Sequence, residues 1–300
     1  MSLEDSAEQV PFDYFKARVC RDIETEVRNF ADCIDSSYNL KPYITDGLRQ
    51  PGKLVRPLIA YMFAEDFGIK PSDITSELLV PIHLLHTSSL IKDDLPQQDN
   101  AQLRRGQPAF HIKHGEATAQ LTADYLLVSA LTALGGLNKK FGPERTLQVT
   151  TFVGEKVLEL AEGQARDLAG GNNATIDSLT EVARLKTGSI FEVSAVPLAI
   201  LSGASDEIIA DTISFAQNLG IAFQIKDDIL DTQDPTDLKE GKGSGIDQKN
   251  GRTTFVKACG GVDEATGLMH KHAELAKDHL SKLPGNEPRR LRLINSILYR

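Results

Sequence analysis

The chain has 300 residues, 41% hydrophobic and 25% charged, enough to bury a sizeable core as one large domain or two ordinary ones. A formal net charge of −9 argues against a nucleic-acid partner, which needs a basic surface, yet leaves room for a small anionic substrate met by local lysines and arginines. The three cysteines, Cys20, Cys33 and Cys259, are odd in number and lack CxxC spacing, which favours reduced thiols in a cytoplasmic protein.

The polar, acidic N-terminus fits neither a signal nor a transit peptide. No run of about 18 apolar residues stands out, so no membrane span is expected. The first predicted element is an amphipathic helix over 12–37, where Phe15, Val19, Ile23, Val27, Phe30 and Ile34 recur at helical intervals. After a loop with Pro42, Pro51-Gly52-Lys53-Leu54-Val55-Arg56-Pro57 opens the next helix. Lys53 and Arg56 share a face there, which in isolation reads as surface charge. A capping loop at 71–77 precedes an apolar helix containing His83, Leu84, Leu85, Ser88, Leu90 and Ile91. Asp93 and Asp94 lie at its end, because Pro96 cannot continue it. That is the negative end of the helix dipole, which favours a cation, and Asp99 can curl back from the loop to join them. A lone Asp-Asp pair would read more readily as a solvated helix terminus.

Arg104 and Arg105 follow on a loop, where adjacent guanidiniums diverge and can serve two anions. Apolar helices are expected over 117–137, with Asp124 and Tyr125, and over 152–168, with Glu162, Gly163, Gln164 and Asp167. Leu185-Lys186-Thr187-Gly188-Ser189 sits in another apolar helix, which continues to Leu201. It fits a kink that exposes backbone groups, or a tolerated polar turn. The apolar run 213–225 leads into Gln224, Asp227, Asp228 and Asp231, with Asp227 and Asp231 on one face. A polar loop over 232–251 is expected to be mobile, and two or three helices finish the chain. Internal repeats, low-complexity tracts and alternating strand patterns are missing, so an all-α, single-domain helical bundle with its site in the core is expected. Two carboxylate clusters at the ends of apolar helices repel unless a cation neutralises them. Hard oxygen donors without Cys or His suit magnesium, which takes one or two carboxylates plus phosphate oxygens of a substrate.

In this combination the sequence resembles the trans-isoprenyl diphosphate synthases, or polyprenyl synthetases, over roughly 52–255. Asp93-Asp94-x4-Asp99 with Leu103-Arg104-Arg105-Gly106 resembles the family's first aspartate-rich motif, in its form with two extra residues. Asp227-Asp228-Ile229-Leu230-Asp231 resembles the second. The resemblance implies the isoprenoid-synthase helical fold across 1–300, a homodimer, and head-to-tail condensation of isopentenyl diphosphate with an allylic diphosphate. It implies three Mg2+ ions on Asp93, Asp94, Asp99, Asp227, Asp228 and Asp231. It assigns Gly52, Lys53, Arg56, His86 and Arg105 to isopentenyl diphosphate, although His86 alone would read as a core histidine. It assigns Arg104, Lys186, Thr187, Gln224, Lys242 and Arg252 to the allylic diphosphate and the developing carbocation, with closure of the loop after Asp231 excluding water.

Ser88 and Ser89 are small where fifteen-carbon (farnesyl) members of the family often carry an aromatic side chain. A twenty-carbon (geranylgeranyl) product is therefore expected, with Tyr125 an alternative tunnel floor. Two departures stand out. Lys92 replaces a His and should add positive charge beside the metals, and Ala101-Gln102 replaces acidic residues. The rivals are a class I terpene cyclase, which would carry an Asn/Asp-x-x-Ser/Thr-x-x-x-Glu second motif, and a non-catalytic regulatory subunit, which would lose motif aspartates or arginines.

Overall fold

The computed structural model describes residues 12–49, 52–170, 174–232 and 252–299. Helix α1 (Phe12–Cys33) buries Phe15, Val19, Ile23, Val27 and Ala31, the stripe that its periodicity requires, and ends short of the expected 37. It is followed by α2 (Lys41–Leu48), α3 (Val55–Asp66) and, after a π-helical turn at Thr75–Leu79, α4 (Val80–Asp93). A short α5 (Phe110–His114) leads into α6 (Glu116–Ala133). Then comes α7 (Asn138–Ala169), broken at Gly142 (φ 79°) just before Pro143. The second half contains α8 (Ile176–Ala183), a π turn at Arg184–Gly188, α9 (Ser189–Ser202) and α10 (Asp206–Asp231). The chain closes with α11 (Phe255–Cys259), α12 (Val262–Ser281) and α13 (Glu287–Leu298). Capping residues start several of these: Thr175, Ser205, Thr254 and Asn286 each accept a backbone N–H of the first turn.

The architecture is the expected helical bundle. One cluster of buried apolar side chains runs from Phe15 to Leu298. Its centre is α9, buried along almost its whole length and packed on α3, α7 and α10. Here one expectation is corrected. By length and composition Ile176–Ser202 is apolar enough to cross a membrane, but 83% of its most apolar window is buried inside the protein. A helix surrounded by other helices must be apolar all round, which mimics a membrane span.

A second difference is a two-residue-stranded hairpin, β1 (Leu103–Arg104) with β2 (Gln107–Pro108), pairing Leu103 with Pro108 and Arg104 with Gln107. Its turn residues Arg105 and Gly106 both have positive φ (52° and 73°), as a tight primed turn requires.

Around the π turn the backbones of α7, the turn and α10 touch. A Cβ on Gly163 would come within 2.5 Å of the Lys186 nitrogen, and one on Gly220 within 2.6 Å of the Gly188 Cα. Side chains at those positions would push the turn out of the groove between α7 and α10.

Candidate active site

The first acidic motif sits where its sequence places it: Asp93 ends α4 and Asp94 is its C-cap. The loop then folds back. The Asp99 amide donates to the Asp93 carbonyl at 2.9 Å and the Ala101 amide to the Asp94 carbonyl at 3.2 Å, with Asn100 in the left-handed region (φ 50°). Asp94 is 2% exposed, and Arg104 grips it with its guanidinium fork: Nε lies 3.1 and 2.9 Å from the two carboxylate oxygens while NH2 reaches Oδ1. Asp99 is equally buried and accepts from Arg252 at 2.7 Å.

Arg252 also stands 3.4 Å from Asp167 of α7, and the same Asp167 oxygen takes the Lys186 ammonium at 2.7 Å. Burial works against the charge on Lys186. The carboxylates of Asp167, Asp93 and Asp99 outweigh that and hold its pKa above the ordinary lysine value. Next to it Thr187 donates to the Gln224 carbonyl at 2.9 Å, and the Gln224 amide donates to Asp228 at 3.0 Å. The other Asp228 oxygen accepts the Phe255 N–H at 2.7 Å. This chain of donors and acceptors fixes which end of the Gln224 amide faces Thr187. The short segment Arg252–Phe255 thus spans the two acidic motifs, gripping Asp99 at one end and Asp228 at the other. Asp227 is exposed, and Asp231, half-buried, is the last residue of α10.

A separate cationic group is built on α3 and α4. Arg56 lies in the first turn of α3 and its guanidinium is 3.1 Å from His86 Nε2. Arginine has only donors, so Nε2 accepts and the His86 proton sits on Nδ1. The Arg56 guanidinium also lies 5.1 Å from the Phe191 ring and 5.9 Å from the Phe223 ring. Burial pulls the Arg56 pKa down to about 10, against the pull of Asp227 in the opposite direction. Burial, reinforced by Arg56, drives His86 well below its ordinary pKa, so it is neutral. Gly52 has φ 68° and a Cβ there would lie 2.4 Å from the Arg105 guanidinium. The left-handed backbone is what favours glycine here, since the Arg105 guanidinium, at the end of a flexible side chain, could move aside. Lys53 follows in the same turn, and its charge is felt by Lys226, which itself donates to the Ile297 carbonyl at 2.7 Å. Leu54 and Arg105, both non-glycine residues with positive φ (49° and 52°), flank this group.

The structure therefore groups Arg104 with Asp94; Arg252 with Asp99; Lys186, through Asp167, with Arg252; and Thr187, Gln224 and Asp228 in one chain. It groups Gly52 with Arg105 and Arg56 with His86. Lys242 lies outside the described residues, as does most of the polar loop after Asp231. Asp167 and Gln164, whose amide donates to Gln98 at 2.7 Å, line the site without having been singled out for a role. The signal available was their spacing: Gly163, Gln164 and Asp167 occupy one face at the end of α7. Lys92 differs from expectation. Its ammonium turns to Asp124 on α6 at 2.7 Å, so its charge is matched there.

Among the described residues no three His, Cys, Asp or Glu side chains stand together as a ready-made metal cage. The donors present are carboxylates at the ends of two helices, several already drawing in cationic side chains. That chemistry fits magnesium, which needs few protein ligands when phosphate oxygens complete its shell.

A model of the polyprenyl synthetase family matches residues 38–277. A farnesyl diphosphate synthase from Geobacillus stearothermophilus is 32% identical over 86% of this chain and 87% of its own. A geranylgeranyl diphosphate synthase from Cyanophora paradoxa is 33% identical over 79% of this chain and 81% of its own. In fold, the geranylgeranyl pyrophosphate synthetase of Pyrococcus horikoshii superposes with a TM-score of 0.85 at 27% identity, covering 96% of this chain and 98% of that one. The chain belongs to the polyprenyl synthetase family and is a trans-prenyltransferase that makes prenyl diphosphates from isoprenyl diphosphate substrates.

Proposed function

We propose that the enzyme is magnesium-dependent and joins isopentenyl diphosphate head-to-tail to dimethylallyl, geranyl or farnesyl diphosphate, making a twenty-carbon rather than a fifteen-carbon product. The observation that carries the division of labour is the separation of two cationic groups. Arg56, with Lys53 and Arg105 near it, pairs with neutral or aromatic neighbours, while Arg104, Lys186 and Arg252 pair with carboxylates.

In this reading Asp93, Asp94, Asp99, Asp227, Asp228 and Asp231 hold three magnesium ions, directly or through water. When bound, the metals supply Lewis-acid neutralisation of the departing diphosphate. Arg104, Lys186, Arg252 and Lys242 bind the allylic diphosphate and stabilise the charge that grows on it as the carbon–oxygen bond breaks. Thr187 and Gln224 turn oxygen dipoles toward the allylic cation. Gly52, Lys53, Arg56, His86 and Arg105 bind isopentenyl diphosphate so that its double bond faces the cation. Phe191 and Phe223 keep that side dry. The diphosphate released from the allylic substrate takes the final proton.

The length argument rests on Ser88 and Ser89. Ser88 is buried and donates to the Ala123 carbonyl of α6 at 2.8 Å, and Ser89 donates back to the His86 carbonyl. Neither puts a ring into the space beyond Asp93, and Tyr125, half-buried on α6, is an alternative floor. A homodimer is part of the proposal. Leu121 and Val128 are exposed on one face of α6, as are Leu147 and Leu158 on α7, an apolar surface that a second copy would cover. Free Cys20, Cys33 and Cys259 fit a cytoplasmic enzyme.

The test is incubation with magnesium, isopentenyl diphosphate and each of the three allylic primers, with products sorted by length. Accumulation at twenty carbons supports the reading. A stop at fifteen carbons overturns the length assignment and points to Tyr125. No elongation from any primer overturns the catalytic reading.

A further inference from the structure

Outside the site lies a buried ionic cluster with no part in the chemistry described so far. Glu192, on α9, is 0% exposed. Its carboxylate accepts from Gln217 of α10 at 3.1 Å and lies 3.0 Å from the ammonium of Lys156 on α7. Lys156 also donates to Glu159, one turn along α7, at 2.8 Å. Glu159 in turn stands 3.5 Å from Arg184, which a bidentate pair at 2.8 Å fixes to Glu181. Burial raises the Glu192 pKa, while Lys156 and Gln217 counter it.

Arg184 is the first residue of the π turn, and Glu192 lies one helical turn beyond its last residue, Gly188. Two neighbouring side chains of α7 therefore hold the segment from both ends. Between the held ends sit Lys186 and Thr187. A π turn contains an extra residue relative to an α-helix, is uncommon, and persists only when its surroundings hold it. If it relaxed to α-helix, the segments on its two sides would rotate relative to one another by about 100°, one residue's step. Lys186 would leave Asp167 and Thr187 would leave Gln224. Stability alone does not call for ions here, because well-packed apolar side chains commonly replace a buried ion pair with no loss.

We propose that Lys156 and Glu159, by gripping Glu192 and Arg184, form a clamp that locks the register of the π turn and so positions Lys186 and Thr187 for the allylic diphosphate. This rests on the role of Lys186 and Thr187 given under the proposed function. Lys156, Glu159, Arg184 and Glu192 are positioning residues, since none of them need touch substrate. The isopentenyl group on α3 and α4 meets this segment at Phe191, which lies in α9 beyond the π turn.

The experiment compares wild type, Glu192→Gln, the apolar double variant Lys156→Met/Glu192→Leu, the exchange Lys156→Glu/Glu192→Lys, and Lys186→Ala as reference. Melting temperature, kcat and KM for each substrate are measured. The apolar double variant is expected to melt within a few degrees of wild type. Its kcat should fall by about tenfold or more, with allylic KM rising and isopentenyl diphosphate KM changing by less than about twofold, in the direction of Lys186→Ala. Glu192→Gln, which keeps its acceptor for Gln217, should stay within about threefold, and the exchange variant should recover most of the lost turnover. Unchanged kcat in the folded double variant overturns the clamp. So does a loss shared equally by both substrates that follows the unfolded fraction. If the double variant does not fold, the exchange decides: full loss of turnover in a folded exchange variant overturns the clamp. If wild type turns over no allylic primer, the proposed function fails and hydrogen exchange decides the clamp. Amides 184–188 must then exchange faster in the variants than in wild type, and equal rates overturn it.

Discussion

The two cationic groups of the site are prepared in opposite ways. Around Arg56 the contacting partners are a neutral histidine and two aromatic faces, and Asp227, whose charge it feels, is exposed, so the guanidinium is only partly compensated in a dry place and is ready for an anion. Around Asp94, Asp99 and Asp167 the described positive side chains are spent on carboxylates: Arg104 on Asp94, Arg252 on Asp99, Lys186 on Asp167. The first group can accept a diphosphate with little rearrangement. The second must exchange partners, since a metal on Asp99 competes with Arg252 and a diphosphate must draw Arg252 and Lys186 away from their carboxylates. On the proposed reading one side is a preformed anion site. The other would be assembled by the ions that use it, with its own salt bridges filling the place of those ions until they arrive.

The largest effects should come from the acidic side. Asp93→Asn or Asp227→Asn is expected to lower kcat by about a hundredfold or more, the size of loss seen when one element of transition-state charge stabilisation is removed. Steady-state assays at saturating magnesium check this, and wild-type turnover in either variant would remove that residue from the metal set. Next is Arg56→Ala. Losing charged hydrogen bonds worth roughly 1.5–3 kcal/mol should raise KM for isopentenyl diphosphate about ten- to a hundredfold while the allylic KM holds still. Arg56→Lys should not restore it, because an ammonium cannot reproduce the planar fork and the ring stacking. A rise in both KM values would break the separation of the two groups.

Arg252→Gln sharpens the comparison further. It should weaken allylic diphosphate binding severalfold, yet tighten binding of Mn2+ alone, because Asp99 loses its internal counter-ion. Calorimetric titration of the folded variant with Mn2+ reads the second effect directly, and weaker metal binding would contradict it. The smallest effect is a pH dependence of stability. Burial holds the His83 pKa near 4 and that of His86 well below its ordinary value, so both imidazoles are neutral when folded. Unfolded, they titrate at about 6.5, so the stability they contribute is present above that pH and lost as pH falls from about 6.5 toward 4. For His83 the loss at about pH 5 should be roughly 2 kcal/mol, and His83→Gln should flatten the curve in urea titrations.

Much of this was legible along the chain. Periodicity located α1, α4 and α10, the proline after Asp94 placed the end of α4, and the run Lys186–Ser189 marked the kink that the structure resolves into a π turn. These are local signals. The pairings were not legible. Arg252 and Asp99 are 153 positions apart, and nothing near either announces the other. Asp167 looked like one more polar residue at a helix end until Lys186 and Arg252 were found on it. Lys92, read from its sequence neighbours, belonged beside the metals, but the packing of α4 on α6 offers it Asp124. The apolar segment Ile176–Ser202 could be recognised as a core helix only once the helices around it were known.

The central claim is that one diphosphate site is preformed and the other is built with metal. Calorimetric binding of isopentenyl diphosphate, and of an unreactive thio-analogue of the allylic diphosphate, with magnesium and then with a chelator, tests it most directly. The account predicts isopentenyl diphosphate affinity nearly the same in both conditions, and allylic analogue affinity at least about a hundredfold weaker with the chelator. Equal magnesium dependence for the two ligands, or none for either, would contradict it.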